Sequence, residues 1–198
     1  MLEITLFDYG VGNLHSLAKA LERAGGRTRI TSDPRHLESA RALVLPGVGS
    51  AHRVMSQLAP AVDALRHKLE SGIPALGVCV GMQVLFESSE EGNATCVGFF
   101  PGAVKKLRAP TLPHIGWCPV THPGGPLFSA IPPGEHFYFV HSYAAGPAGA
   151  IATADYGGPF AAAIRRGNVF GVQFHPEKSS AAGQLLLRNF VTFAGSLA

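Results

Sequence analysis

Ile73-Pro74-Ala75-Leu76-Gly77-Val78-Cys79-Val80-Gly81-Met82-Gln83-Val84-Leu85-Phe86 is the stretch on which the fold turns. Its first half is a short apolar run of the length expected for a buried strand. The run enters Gly77-Val78-Cys79-Val80-Gly81 and leaves into a predicted helix. Strand, sharp glycine-bounded turn and helix make the setting of a nucleophile elbow, here with cysteine at the position that serine takes in hydrolases. The glycines allow a turn that holds the side chain over the carboxyl edge of a sheet. A helix N-terminus behind it favours the thiolate, and the Val80 N–H would point at an oxyanion. The competing reading of Cys79 is an inert core thiol, since free cysteine is among the most buried residue types.

Upstream of this stretch the pattern alternates. Leu2 to Tyr9 is predicted as a strand, Gly10-Val11-Gly12 as a tight loop and Asn13 as a helix cap. Leu14, Leu17, Ala18, Leu21 and Ala24 follow at helical spacing, and Gly25-Gly26 ends the helix. A strand at Arg27 to Thr31 precedes Asp33-Pro34, a cap with proline at the first helical position. Ala42 to Leu45 reads as a strand running into Pro46-Gly47-Val48-Gly49-Ser50, and a helical region from Ala51 to Glu70 is interrupted at Pro60. Downstream of Glu91 the chain is rich in proline and glycine, with strand-like runs at Val97 to Phe100, His136 to Val140 and Ala150 to Ala154. Phe160 to Ile164 and Val169 to Phe174 flank Arg165-Arg166-Gly167-Asn168 as a hairpin, and a last amphipathic helix runs from Ser180 to Phe193. The expectation is a single α/β domain over residues 1–198, with a mixed, largely parallel sheet flanked by helices. The order of the strands does not follow from this pattern.

Composition narrows the function. The 198 residues carry 16 basic and 13 acidic side chains, a net charge of +3, and 46% of them are hydrophobic. That rules out general disorder. The only adjacent basic pairs are Lys105-Lys106 and Arg165-Arg166, too sparse for a nucleic-acid footprint. With only 15% charged residues the surface suits a protein partner. The longest apolar stretch, Ile73 to Phe86, is broken by Pro74, Gly77, Gly81 and Gln83, so no membrane span is expected. The N-terminus has no basic segment of a secretory signal, and a cytoplasmic location is expected. Three cysteines without a CxxC pair predict neither a disulfide framework nor a zinc site.

A cysteine nucleophile needs a base, and nine histidines compete for the role. His15, His36, His52 and His67 fall in helical stretches, where an exposed imidazole is expected. His175 ends the apolar strand Val169 to Phe174 and precedes Pro176-Glu177. Residues two apart on an extended chain face one side, which places Glu177 to orient the imidazole and stabilise its cation. Cys79 and His175 would both stand at carboxyl ends of strands, where α/β sheets put their sites, and they fit acyl transfer through a nucleophile, a base and an orienting carboxylate. The Pro46-Gly-Val-Gly-Ser50 loop reads equally as a second oxyanion donor or as a plain strand-to-helix turn. Gly10-Val11-Gly12 lacks the third glycine of a dinucleotide fingerprint. His141-Ser142-Tyr143 follows another apolar strand, and without a neighbouring carboxylate His141 suits substrate contact better than a second base.

Taken together, Gly77-Val-Cys79-Val-Gly-Met-Gln83 and Phe174-His175-Pro176-Glu177 resemble the class I glutamine amidotransferases, whose triad is Cys, His and Glu. Further segments narrow the resemblance: Asp8-Tyr-Gly-Val-Gly-Asn13, Leu45-Pro-Gly-Val-Gly-Ser50, Pro113-His-Ile-Gly-Trp117, Tyr138-Phe-Val-His-Ser-Tyr143 and His175-Pro-Glu-Lys-Ser179. They are similar, in order and over nearly the whole chain, to the glutaminase subunits of imidazole glycerol phosphate synthases. The resemblance implies that Cys79 attacks the side-chain amide of glutamine, His175 moves the protons and Glu177 orients His175. It implies that Val80 and Val48 supply the oxyanion N–H groups, with the second in place only once the partner has bound its substrate. Gly47, Gln83, Glu91, Ser142 and Tyr143 would hold glutamine. Asn13, Trp117, Tyr138 and Lys178 would lie toward the partner and the ammonia exit. The family uses neither a metal nor an organic cofactor, and its partner is a (β/α)₈-barrel cyclase in a heterodimer.

Two positions depart from the family pattern. Ser142 stands where threonine is expected, which keeps the hydroxyl. Cys118 follows Gly116-Trp117 where asparagine is expected, which removes an amide. The other readings are a glutaminase serving a pyridoxal phosphate, anthranilate or guanylate synthase, and a binding module that has lost catalysis. The Tyr9-to-Asn13 and Pro113-to-Trp117 segments speak against the first, and intact Cys79, His175 and Glu177 against the second.

Overall fold

The computed structural model describes residues 1–10, 14–47 and 49–197. Strands β1 (Glu3–Phe7), β2 (Arg27–Thr31), β3 (Leu43–Leu45) and β4 (Ala75–Val78) are built from the alternating first half of the chain. The main sheet has the order Ala150–Asp155, Pro159–Arg166, Val169–Val172, β4, β3, β1, β2. From Val169–Val172 to β2 every pairing is parallel, and the two strands at the other edge run antiparallel. This is the expected mixed, largely parallel sheet.

The packing follows the residues. β3, β4 and Val169–Val172 are buried along their whole length, as strands covered on both faces must be. β2 is the edge, and its Arg27 and Arg29 discourage pairing with another chain. The helix Leu14–Arg23 buries Leu17, Ala18, Ala20 and Leu21 and packs against Ser180–Gly195. The next helical region breaks where proline removes a donor: Ala51–Leu58 and Val62–Glu70 are joined by a 3-10 turn at Ala59–Ala61.

The predicted helix after Cys79 is present as a single turn, Val80–Gln83. The second half departs from expectation at Val97 to Phe100, which form no strand. Their N–H groups bond at 2.7–2.8 Å to the carbonyls of Val84, Leu85 and Phe86, where the short helix ends. Two smaller sheets complete the fold, and one of them is a ribbon of His114–Val120 against Glu135–His141, paired antiparallel from His114↔His141 to Val120↔Glu135. Its inward residues include His114, Cys118, Phe137 and Phe139, while Ile115 (59%) and Trp117 (52%) are exposed. Among the described residues no helix is long and apolar enough to cross a membrane.

Candidate active site

Three neighbouring strands, Val169–Val172, β4 and β3, end at one edge of the sheet. The residues that follow them are His175, Cys79 and Gly47, so the topology gathers what the sequence scatters. Crowding there explains the glycines. A Cβ on Gly47 would lie 1.8 Å from the Val78 carbonyl oxygen, one on Gly81 2.1 Å from that of Leu45, and one on Gly77 2.6 Å from that of Gly81. Cys79 itself sits at φ 50°, ψ −113°. A non-glycine residue there costs about 1–3 kcal/mol and persists only where its surroundings enforce it. The Cys79 N–H donates to Val172 O at 2.7 Å, and its carbonyl accepts from Met82 and Gln83 at 3.0 Å. The turn is an elbow with the cysteine at its apex.

His175 is buried, and its Nδ1 lies 2.9 Å from Glu177 Oε1, with both side chains under a tenth exposed. Burial alone would lower the His175 pKa. Hydrogen bonds to Cys79 and Glu177, reinforced by their charges, reverse this and raise it to about 10. His175 therefore rests protonated between a carboxylate and the sulfur. Its backbone N–H donates to Tyr138 O at 2.9 Å, and Ser179 Oγ donates to its carbonyl at 2.6 Å.

His141 shows the opposite electrostatics. Burial lowers its pKa to about 4, with the charges of His114 and His175 adding to the effect, although its bond to Tyr143 opposes it. Its Nδ1 lies 3.0 Å from the Tyr143 carbonyl and its Nε2 3.1 Å from His114 Nδ1. The carbonyl can only accept, so Nδ1 carries the proton and Nε2 accepts from His114. A neutral imidazole with both nitrogens engaged has no capacity left for a second base.

A cleft of about 160 Å³ opens over the sulfur, lined by Cys79, Val80, Gln83, Glu91, Ser142 and Tyr143 among others. It suits a molecule of amino-acid size and is smaller than typical pockets for larger ligands. Gln83 donates through Nε2 to Tyr143 O at 2.8 Å and to Gln173 Oε1 at 3.0 Å. Its own Oε1 is buried and has no hydrogen-bond partner among the described residues. Glu91 Oε2 accepts from the Ala51 N–H at 2.8 Å. A larger groove of about 540 Å³ between Phe99 and Arg166 lies at the other end of the sheet.

The structure thus brings together Cys79, His175, Glu177, Val80, Gln83, Glu91, Ser142 and Tyr143, with Gly47 packed against the turn before Cys79. Trp117 and Tyr138 stand opposite one another on the ribbon, their rings 5.9 Å apart, and Lys178 is exposed one residue beyond Glu177. Asn13 and Val48 lie outside the described residues. Cys118 points inward and donates to the Asp155 carbonyl at 3.5 Å, so the departure from asparagine falls on the buried side of the ribbon. His36 is half-buried rather than exposed, bonded to Thr31 Oγ1 at 2.6 Å. Two participants escaped the sequence reading: His114, and Gln173, whose Nε2 lies 3.7 Å from the sulfur. Gln173 precedes His175 by two residues, just past the end of the strand Val169–Val172, at the spacing that pointed to Glu177.

The family model for class-I glutamine amidotransferases matches residues 5–193. A protein of Moorella thermoacetica named imidazole glycerol phosphate synthase subunit HisH is 46% identical, with 96% of this chain and 94% of its own length covered. Another of that name, from Methylococcus capsulatus, is 44% identical, with 96% of each covered. Among solved structures, one described as a glutamine amidotransferase superposes with a TM-score of 0.76 at 20% identity, covering 97% of this chain and 98% of that one. The structure of PurLQS from Thermotoga maritima gives 0.72 at 19% identity, covering 99% and 98%. At these identities the structures speak for the fold alone.

Proposed function

The chain belongs to the class-I glutamine amidotransferases, and we propose that, as one glutaminase domain over residues 1–198, it serves as the glutaminase subunit of an imidazole glycerol phosphate synthase in histidine biosynthesis. The observation that carries the reaction is the Cys79, His175 and Glu177 constellation at adjacent strand ends. The Cys79 thiolate adds to the side-chain amide carbon of glutamine. In this reading the N–H groups of Val80 and Val48 receive the oxyanion, the second once the partner has bound its substrate, and such stabilisation is among the largest single contributions in acyl transfer. His175, which already holds a proton, gives it to the departing nitrogen, and ammonia leaves behind a glutamyl thioester. His175, now neutral, takes a proton from water as the hydroxide attacks the thioester. Glutamate departs and the thiolate returns. Glu177 holds the imidazole in place and stabilises its cationic form. Gly47, Gln83, Glu91, Ser142 and Tyr143 hold the substrate.

Ammonia released into neutral water becomes ammonium and loses its nucleophilicity, so an acceptor subunit is needed. The relatives' shared name supports a partner, the (β/α)₈-barrel cyclase, which uses the ammonia to form imidazole glycerol phosphate and an aminoimidazole carboxamide ribonucleotide. In this reading the exposed Trp117, with Tyr138, Lys178 and Asn13, supplies contacts to that partner, and the complex works in the cytoplasm without metal or organic cofactor.

The test is glutamate release by the purified chain alone, with the cyclase subunit, and with that subunit plus its ribonucleotide substrate. Low activity alone and strong stimulation in the last condition is the expected result. Equal activity in all three would leave a glutaminase but remove this synthase. Cys79→Ala should abolish release while still binding the cyclase; unchanged release would remove the catalytic assignment.

A further inference from the structure

Among the described residues, few donors surround the sulfur of Cys79. The helix behind it is a single turn, Val80–Gln83, too short to supply much macrodipole. The Val140 carbonyl lies 3.8 Å from Sγ, an acceptor that welcomes a thiol and opposes a thiolate. Against this stand His175 and the Nε2 of Gln173, 3.7 Å from Sγ. Gln173 is fully buried, and its backbone N–H is fixed to Ala162 O at 2.9 Å. The orientation of its amide follows from the network. Gln83 Nε2 faces two oxygens, Tyr143 O and Gln173 Oε1. With Oε1 turned to Gln83, the Gln173 NH₂ is left facing the sulfur.

We propose that Gln173 is a positioning residue that gives the Cys79 thiolate a fixed neutral donor and ties that donor, through Gln83, to the side chain that meets the substrate. The proposal rests on the reading of Cys79 as nucleophile. It acts twice in each turnover: it favours the thiolate before attack, and it stabilises the sulfur as leaving group when the thioester is hydrolysed. Because Gln83 grips Oε1, occupation of the cleft at Gln83 transmits to the donor without moving the backbone. Other titratable groups near the sulfur are His175, with Glu177 behind it, and Tyr9 just after β1, whose hydroxyl is buried; Glu91, His141 and Tyr143 line the same cleft, and His141 in turn faces His175.

The experiment is the rate of Cys79 alkylation by iodoacetamide against pH, read by mass spectrometry so that buried Cys96 and Cys118 are scored separately. Gln173→Met keeps the shape and removes the donor, and the midpoint of the profile should move up by about one pH unit, a tenfold loss of thiolate at a given pH below it. Gln173→Glu places a carboxylate at the sulfur and should move it further. Gln83→Met frees the Gln173 amide to turn and should move it in the same direction by less; this variant carries the test should the position 173 variants fail to fold. A merely structural role would change the plateau rate and leave the midpoint in place. A midpoint unchanged in Gln173→Met, or in Gln83→Met where only that variant folds, overturns the proposal. Absence of pH-dependent alkylation of Cys79 in the unaltered chain would overturn the nucleophile reading instead.

Discussion

His175 and His141 lie in the same interior, 3% and 6% exposed, and settle in opposite protonation states. One is raised to about 10 and the other lowered to about 4. Burial acts on both in the same direction, so burial does not separate them. His175 faces the carboxyl of Glu177 and the sulfur of Cys79, whereas His141 faces a carbonyl and another imidazole. In the proposed mechanism the first environment keeps a proton ready for departing ammonia, while the second gives the cleft a neutral wall. In a closed site the partner, more than the solvent, decides what a histidine can do.

The most severe way to break this contrast is His175→Asn, which removes the proton carrier. Glutaminase turnover in the fully activated complex should fall by about 10³-fold, within the range known for losing a general acid–base. Full activity in that variant would mean the wrong histidine. Glu177→Gln keeps the shape and removes the charge, and about a 10²-fold loss of kcat is expected. Its pH–rate profile should lose activity at lower pH than the unaltered enzyme, because His175 then gives up its proton more easily. His141→Gln should cost less than about tenfold in kcat/KM, as befits a residue outside the proton path. A larger fall confined to kcat would place His141 in the chemistry.

Stability against pH sharpens the same contrast with smaller effects. The pKa of His175 is raised above its unfolded value of 6.5, so its contribution is full below pH 6.5 and is lost as pH rises toward 10. The pKa of His141 is depressed, so its contribution is full above pH 6.5 and is lost as pH falls toward 4. Denaturant unfolding should therefore show His141→Gln with a flatter acid limb, by at most about 3 kcal/mol, and His175→Asn with a flatter alkaline limb. Identical limbs in both variants would show that neither histidine governs the window.

The half of the molecule that carries the nucleophile was legible in the sequence, because its strands are apolar, bounded by glycine or proline, and separated by periodic helices. Cys79 and His175 followed from strand ends; Glu177 was reached from a two-residue spacing on a chain expected to be extended, whereas Pro176–Lys178 forms a 3-10 turn that still brings the carboxylate to His175. The ribbon was harder to see. Gly116 and Pro119 interrupt the pattern of His114–Val120, and a two-stranded element tolerates them because it offers open edges. Val97 to Phe100 misled for a related reason: their apolar side chains suit a strand, but their N–H groups close off the end of a helix that stops after one turn. Gln173 was within reach of the argument that found Glu177, but an uncharged amide beside an aromatic residue carries no chemical signal by itself.

The ribbon strand Glu135–His141 touches the reaction at two points: the Val140 carbonyl meets the sulfur, and the Tyr138 carbonyl holds the backbone of His175. The strand paired with it turns Ile115 and Trp117 outward. In the proposed mechanism the sulfur and His175 are the nucleophile and the proton donor, so one strand is the common mount of both. A body seated against Ile115 and Trp117 would press on the far side of that mount while its own atoms stay outside the cleft.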